Sequence, residues 1–90
     1  MLIALIARDK PDALQVRLDN RAAHLAYIEE TGVVAQAGPL LDQDGNMAGS
    51  LVILEVEDMA AGEEWAANDP YTKAGLFETT DLVTWKKVIG

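Results

Sequence analysis

The chain has no cysteine, a single histidine, and only seven Lys or Arg residues in 90. Without cysteine it forms no disulfide, thiolate zinc site or iron–sulfur cluster, and it carries no Cys nucleophile. The basic residues are scattered apart from Lys86 and Lys87, and the formal net charge is −8 at pH 7. Such a surface repels phosphate backbones and anionic lipid, so neither nucleic acid nor a membrane is expected as a partner. Long hydrophobic runs are also missing. The opening stretch MLIALIA is seven residues long. With no basic residue before it and no small-residue cleavage site after it, it reads as a strand rather than a signal peptide or membrane span. A cytoplasmic location is the expectation.

Several site signatures are absent as well. Gly38, Gly45 and Gly49 do not form a phosphate loop, which needs a glycine-rich turn between strand and helix with a Lys at its end. No GxSxG element is present, so a serine hydrolase has no support. Asp42, Asp44 and Asn46 have the spacing of a calcium loop, but Met47 stands where that loop needs Gly and Ile53 where it needs Glu. Glu55 with Glu57, and Glu63 with Glu64, have no histidine at ligand spacing and read as solvated charges. No metal and no cofactor are expected.

What is present is ordinary globular composition, 50% hydrophobic and 24% charged. A chain of this length buries roughly two-thirds of its unfolded area, enough for one modest core, so residues 1–90 are expected to form one domain. Residues 2–7, LIALIA, are continuously apolar, as in a central strand covered on both faces. Asp9 can cap the next turn and Pro11 suits a first helical turn, so a helix starting there brings Leu14 and Leu18 onto one face. Leu25 and Ile28 continue that stripe, either in one long helix or in two short ones with Asp19 or Asn20 capping the second. Gly32 ends the region.

GVVAQAGPLL reads as a second strand, with Gly38 and Pro39 weakening or bulging its far end. Asp44-Gly45 is a hairpin signal, and SLVILEV follows as the third strand. Asp58 caps a helix over MAAGEEWAAN, anchored by Trp65 and stopped by Pro70. Asp69-Pro70 caps one further turn, and FETTDLVTW supplies a last strand. The order βαββαβ is the ferredoxin-like α+β arrangement, an antiparallel sheet with both helices on one face. In the third strand Val52, Leu54 and Val56 point one way, Leu51 and Ile53 the other. Helices cover only one of those faces, so a homodimer packed through the other is expected.

His24 borders the apolar stripe with Arg21 and Tyr27 within one turn. Histidine suits proton transfer at neutral pH, and a carboxylate on one ring nitrogen orients the other; Asp69 is the candidate orienter. The plain alternative, a semi-buried histidine with a satisfied hydrogen bond, stays open on these residues, as does a purely capping Asp69. Ser50 at the head of the third strand can donate to a ligand, although a serine there often serves only local backbone.

Taken in order, Arg21 through His24-Leu25, AGPL at 37–40, DGN with Gly49-Ser50, NDPY at 68–71 and AGLFE at 74–78 resemble the YciI-like (YCII-related) family. The resemblance spans essentially the whole chain. It implies a dimeric α+β barrel in which His24 and Asp69 meet in a pocket as a His/Asp dyad. Ser50 and the Gly38-Pro39 bend then lie nearby, with Arg21 and Tyr71 among the substrate-binding residues. The family often has Pro between the Arg and the His; this chain has Ala22 and Ala23, a softer helix break. The implied chemistry is cofactor-free proton transfer, isomerisation or dehydrochlorination on a small cyclic or aromatic metabolite. The competing expectation is a non-catalytic domain that holds a small molecule without transforming it.

Overall fold

The computed structural model describes residues 1–90. Its elements are β1 (Leu2–Asp9), α1 (Leu14–Thr31), β2 (Val34–Leu41), β3 (Met47–Glu55), α2 (Met59–Asn68), α3 (Pro70–Lys73) and β4 (Phe77–Trp85). The strands form one sheet in the order β2-β3-β1-β4, and each neighbouring pair is antiparallel. This is the expected ferredoxin-like α+β fold. β1 and β3 are central, which is why their sequences are the most continuously apolar.

The core lies between the sheet and the long helices. Ile3, Leu5 and Ala7 of β1 meet Val52 and Leu54 of β3, with Trp65 and Ala66 of α2 above them. Side chains alternate along a strand, so Ala4, Ile6, Leu51 and Ile53 belong to the opposite face. The register Ala4↔Val83 and Leu2↔Trp85 brings Val83 and Trp85 to that face too. Leu51, Val83 and Trp85 are exposed there.

α1 departs from expectation in two ways and settles one alternative. Pro11 and Asp12 form a turn outside the helix, whose N-cap is Ala13 with no side-chain cap, and Asp9 is engaged elsewhere. Of the two alternatives the single long helix is the one present: it is continuous through Asp19–His24, and the Asn20 amide donates back to Val16 O within it. Most importantly, the leucine stripe does not face the core. Leu14, Leu18 and Leu25 are 39–50% exposed, while Arg17 and His24 are buried. The magnitudes explain this choice. Completing the burial of a half-exposed leucine gains about 1 kcal/mol, whereas stranding a buried carboxylate costs about 3–5 kcal/mol. Beneath the helix Arg17 pairs with the Asp9 carboxylate and the His24 ring hydrogen-bonds that of Asp69.

α1 is fastened to α2 by a short polar chain. The Tyr27 hydroxyl donates to Trp65 O at 2.8 Å, Trp65 Nε1–H donates to Thr31 Oγ1 at 2.9 Å, and the two rings pack with centroids 4.9 Å apart. Gly32 closes α1 in the left-handed region at φ 65°, and Asp58 caps α2 by accepting from Ala61 N–H at 2.8 Å. In the β2–β3 hairpin, Asp42 Oδ1 accepts from the N–H groups of Asp44 and Asn46. The irregularities in β2 fall at Val34/Gln36 and Leu40/Leu41, while Gly38 and Pro39 themselves pair with Leu51 and Ser50. β2 is an edge strand, where a missing N–H is tolerated.

Gly49 marks the tightest approach in the sheet, since a Cβ there meets Ala7 O of the neighbouring strand at 2.5 Å. Gly49→Ala is therefore expected to destabilise the fold by about 1–3 kcal/mol, the usual range for overpacking. Gly38→Ala, where nothing lies within 4 Å, serves as the control, and urea denaturation of both variants is the measurement.

Candidate functional site

A cavity of about 160 Å³ opens between α1, the middle of β2 and the start of β3. Of the residues expected at the site, Arg21, His24, Gly38, Pro39, Ser50 and Tyr71 all line it. Leu25, Ile28, Met47 and Val52 supply apolar wall. Asp69 stands behind His24 and is buried.

The local folding that places these groups is simple. α2 cannot continue through Pro70, so the chain turns at Asp69, whose Oδ1 accepts from the Tyr71 N–H at 3.0 Å and caps α3. The same Oδ1 lies 2.8 Å from His24 Nδ1. A carboxylate at Nδ1 selects the tautomer with its proton there, which leaves Nε2 with a free lone pair. The capping and orienting roles of Asp69 thus coexist on one oxygen atom.

Tyr71 is held from both sides. The His24 ring stacks on it with centroids 4.0 Å apart and an interplanar angle of 14°, and the Arg17 guanidinium carbon is 4.7 Å from its centroid. Arg17 and His24 sit two turns apart on α1, about 10.5 Å along the axis, so the tyrosine ring lies between them. Phe77 closes the edge of the layer at 6.0 Å. Burial raises the ionisation of the Tyr71 phenol above its ordinary value, against the lowering effect of Arg17 and Arg21. The group is a neutral phenol at physiological pH.

Arg17 is the buried cavity-lining residue of the candidate site that sequence reasoning missed. Its Nε–H and Nη2–H donate to the two oxygens of Asp9 at 2.8 Å each, and Nη2 also donates to Ser50 Oγ at 3.0 Å. Burial alone lowers the pKa of this guanidinium, but the Asp9 hydrogen bond and charge outweigh it and the net shift is upward, so Arg17 stays charged. One usable signal existed: Arg17 lies seven positions before His24, on the same helix face. Asp9, read as a turn cap, is instead the counter-ion.

No buried side-chain nitrogen or oxygen lacks a hydrogen-bond partner. Arg17 Nη1, His24 Nε2 and the Tyr71 hydroxyl make no hydrogen bond within 3.5 Å, so each keeps some accessible surface; all three residues line the cavity, and the Arg17 guanidinium also interacts with the Tyr71 hydroxyl. Chemically, the arrangement offers one imidazole nitrogen able to exchange a proton beside a set of oriented donors.

The Arg17–Asp9 pair is almost wholly enclosed, with side-chain exposures of 3% and 5%. Arg17→Met, which strands the Asp9 charge, is expected to cost about 3–5 kcal/mol by urea denaturation. The Asp9→Leu/Arg17→Met double variant is expected to cost less than the sum of its single changes.

The YCII-related domain profile matches residues 1–86. Protein YciI of Escherichia coli O6:H1 (strain CFT073) is 39% identical over 97 aligned positions, covering 98% of this chain and 99% of that protein. An uncharacterised protein of Haemophilus influenzae is 32% identical over the same span. Among solved structures, the 5-chloro-2-hydroxyhydroquinone dehydrochlorinase TftG from Burkholderia phenoliruptrix AC1100, in complex with 2,5-dihydroxybenzoquinone, superposes with a TM-score of 0.87. It is 42% identical, over 96% of this chain and 94% of that one. An antibiotic biosynthesis monooxygenase at TM-score 0.61 and 18% identity shares the fold alone. With a family profile matching nearly end to end and relatives of this identity over their full length, the chain belongs to the YCII-related family.

Proposed function

We propose that the protein is a cofactor-free acid/base enzyme that isomerises, or eliminates a leaving group from, a small cyclic or phenolic metabolite. His24 is the proton-transferring group and Asp69 the residue that positions it. The observation that carries this reading is the 2.8 Å contact of His24 Nδ1 with buried Asp69, which leaves Nε2 open to a ring-sized cavity. The likeness to a dehydrochlorinase crystallised with a quinone supports a ring-shaped small molecule as substrate.

In this scheme neutral His24 removes a proton from the bound ring through Nε2, and the freed electron pair moves into the ring. It then either re-protonates at another atom, giving an isomer, or expels a leaving group, giving an elimination product. Asp69 stabilises the imidazolium formed meanwhile and holds the ring plane against Tyr71. Ser50, Arg21 and Tyr71 orient the substrate. Gly38 and Pro39 form the wall facing α1.

Against an identified substrate, His24→Ala is expected to lower kcat/KM by about 10²–10⁴-fold, the usual share of a general acid or base. Asp69→Asn removes the charge while keeping a residue able to cap α3, so a smaller loss with the fold intact is expected. Unchanged turnover in both variants would sink the scheme. Wild-type protein that binds the ring compound and never transforms it would instead support a non-catalytic binding domain.

The working unit is proposed to be a homodimer closed through the uncovered sheet face, where Leu51, Val83 and Trp85 lie exposed. Contiguous apolar surface of this kind is unusual on a monomer. Sedimentation equilibrium at micromolar concentration is expected to give twice the chain mass, and a monomer mass there refutes the dimer.

A further inference from the structure

We propose that the cavity selects a single flat ring bearing an anionic oxygen, such as a phenolate or enolate, and that Arg17, Arg21 and Ser50 hold that oxygen. This deepens the acid/base reading and uses the same pocket.

Size comes first. The cavity measures about 160 Å³, and an apolar cavity of about 150 Å³ accommodates one benzene ring. Leu25, Ile28 and Val52 give the ring its apolar contact.

The polar side of the wall presents donors. Arg17 is only 2% exposed, yet its Nη1 makes no hydrogen bond and is not sealed off. Two further guanidinium N–H groups are fixed by Asp9, so the side chain is already oriented and loses little freedom when Nη1 meets a ligand. Ser50 Oγ accepts from Arg17 Nη2, which leaves its own proton free to donate. The Tyr71 hydroxyl, kept protonated by burial, can add another donor. Arg21 completes the set from the next turn of α1.

Charge placement points the same way. The chain carries 15 Asp and Glu residues, but none lines the cavity. Asp9 and Asp69 sit behind Arg17 and His24 and touch the donors rather than the ligand. With neutral His24, Arg17 and Arg21 balance these two carboxylates. Preference for an anion therefore arises from the direction of the donors, because N–H groups face inward and carboxylate oxygens face away. Hydrogen bonds to an ionised oxygen are about twice as strong as neutral ones, so the same ring is held more tightly as an oxyanion than as a phenol or ether.

The test uses 4-nitrophenol, which ionises near neutral pH and absorbs visible light only as the phenolate. In the presence of the full-length protein, the ionisation of the bound probe is expected to fall by about one unit or more, a preference for phenolate of at least about tenfold. Arg17→Ala risks unfolding because it strands Asp9, so Arg17→Lys and Ser50→Ala are the working variants, with circular dichroism to verify the fold. Lysine keeps the charge opposite Asp9 but lacks the planar fork. Each variant is expected to cut the phenolate preference several-fold. An unshifted ionisation, a shift that survives in both variants, or no binding of the probe at millimolar concentration overturns the proposal. His24→Asn separates the two readings. Phenolate preference without turnover in that variant supports both, whereas preserved turnover with preserved preference removes the acid/base role and leaves the anion site standing.

Discussion

Asp69 Oδ1 receives two hydrogen bonds, one from the Tyr71 backbone and one from the His24 ring. The first begins α3 directly after Pro70 has stopped α2, and so fixes where the Tyr71 ring stands. The second fixes the plane of the histidine against that ring. Once Tyr71 is placed, Arg17 has a surface to lie on and Asp9 has its counter-ion. The placement of the His24 and Tyr71 rings therefore depends on a single carboxylate oxygen.

This dependence explains why α1 docks as it does. A helix bearing Leu14, Leu18 and Leu25 on one side and Arg17 and His24 on the other has two ways to meet a sheet. Hydrophobic area alone favours the leucines. The carboxylates of Asp9 and Asp69 decide otherwise, because a buried charge without a partner costs more than a leucine gains. The apolar cohesion of the domain is supplied instead by Ile3, Leu5, Val52, Leu54 and Trp65.

Much of the fold was legible because its cues are local. Period-two and continuous apolar runs gave the four strands, and the last strand, FETTDLVTW, matches β4 at both ends. The Asp58 cap, the Gly32 stop and the Asp44-Gly45 turn each act within a few residues. The facing of α1 was not legible, because it depends on Asp69, 45 positions from His24, and on Asp9 serving as counter-ion to Arg17 rather than as a cap. Arg17 was hidden likewise, since its contacts reach back to Asp9 at the end of β1 and across to Ser50. His24 and Asp69 were found by residue type and family resemblance, and their contact across 45 positions became visible only in three dimensions.

Pro39 has a further consequence. It lies on β2, an outer strand of the sheet, and has no N–H to offer an incoming strand. The register breaks on either side of Gly38-Pro39 make that rim uneven, and the opposite rim, β4, carries Glu78 and Asp81. Open-ended strand addition, the route to fibrils, is thereby discouraged at both borders of the sheet. For copies that do associate, the route left open is stacking of sheets, which closes on itself and stops at a finite number of copies.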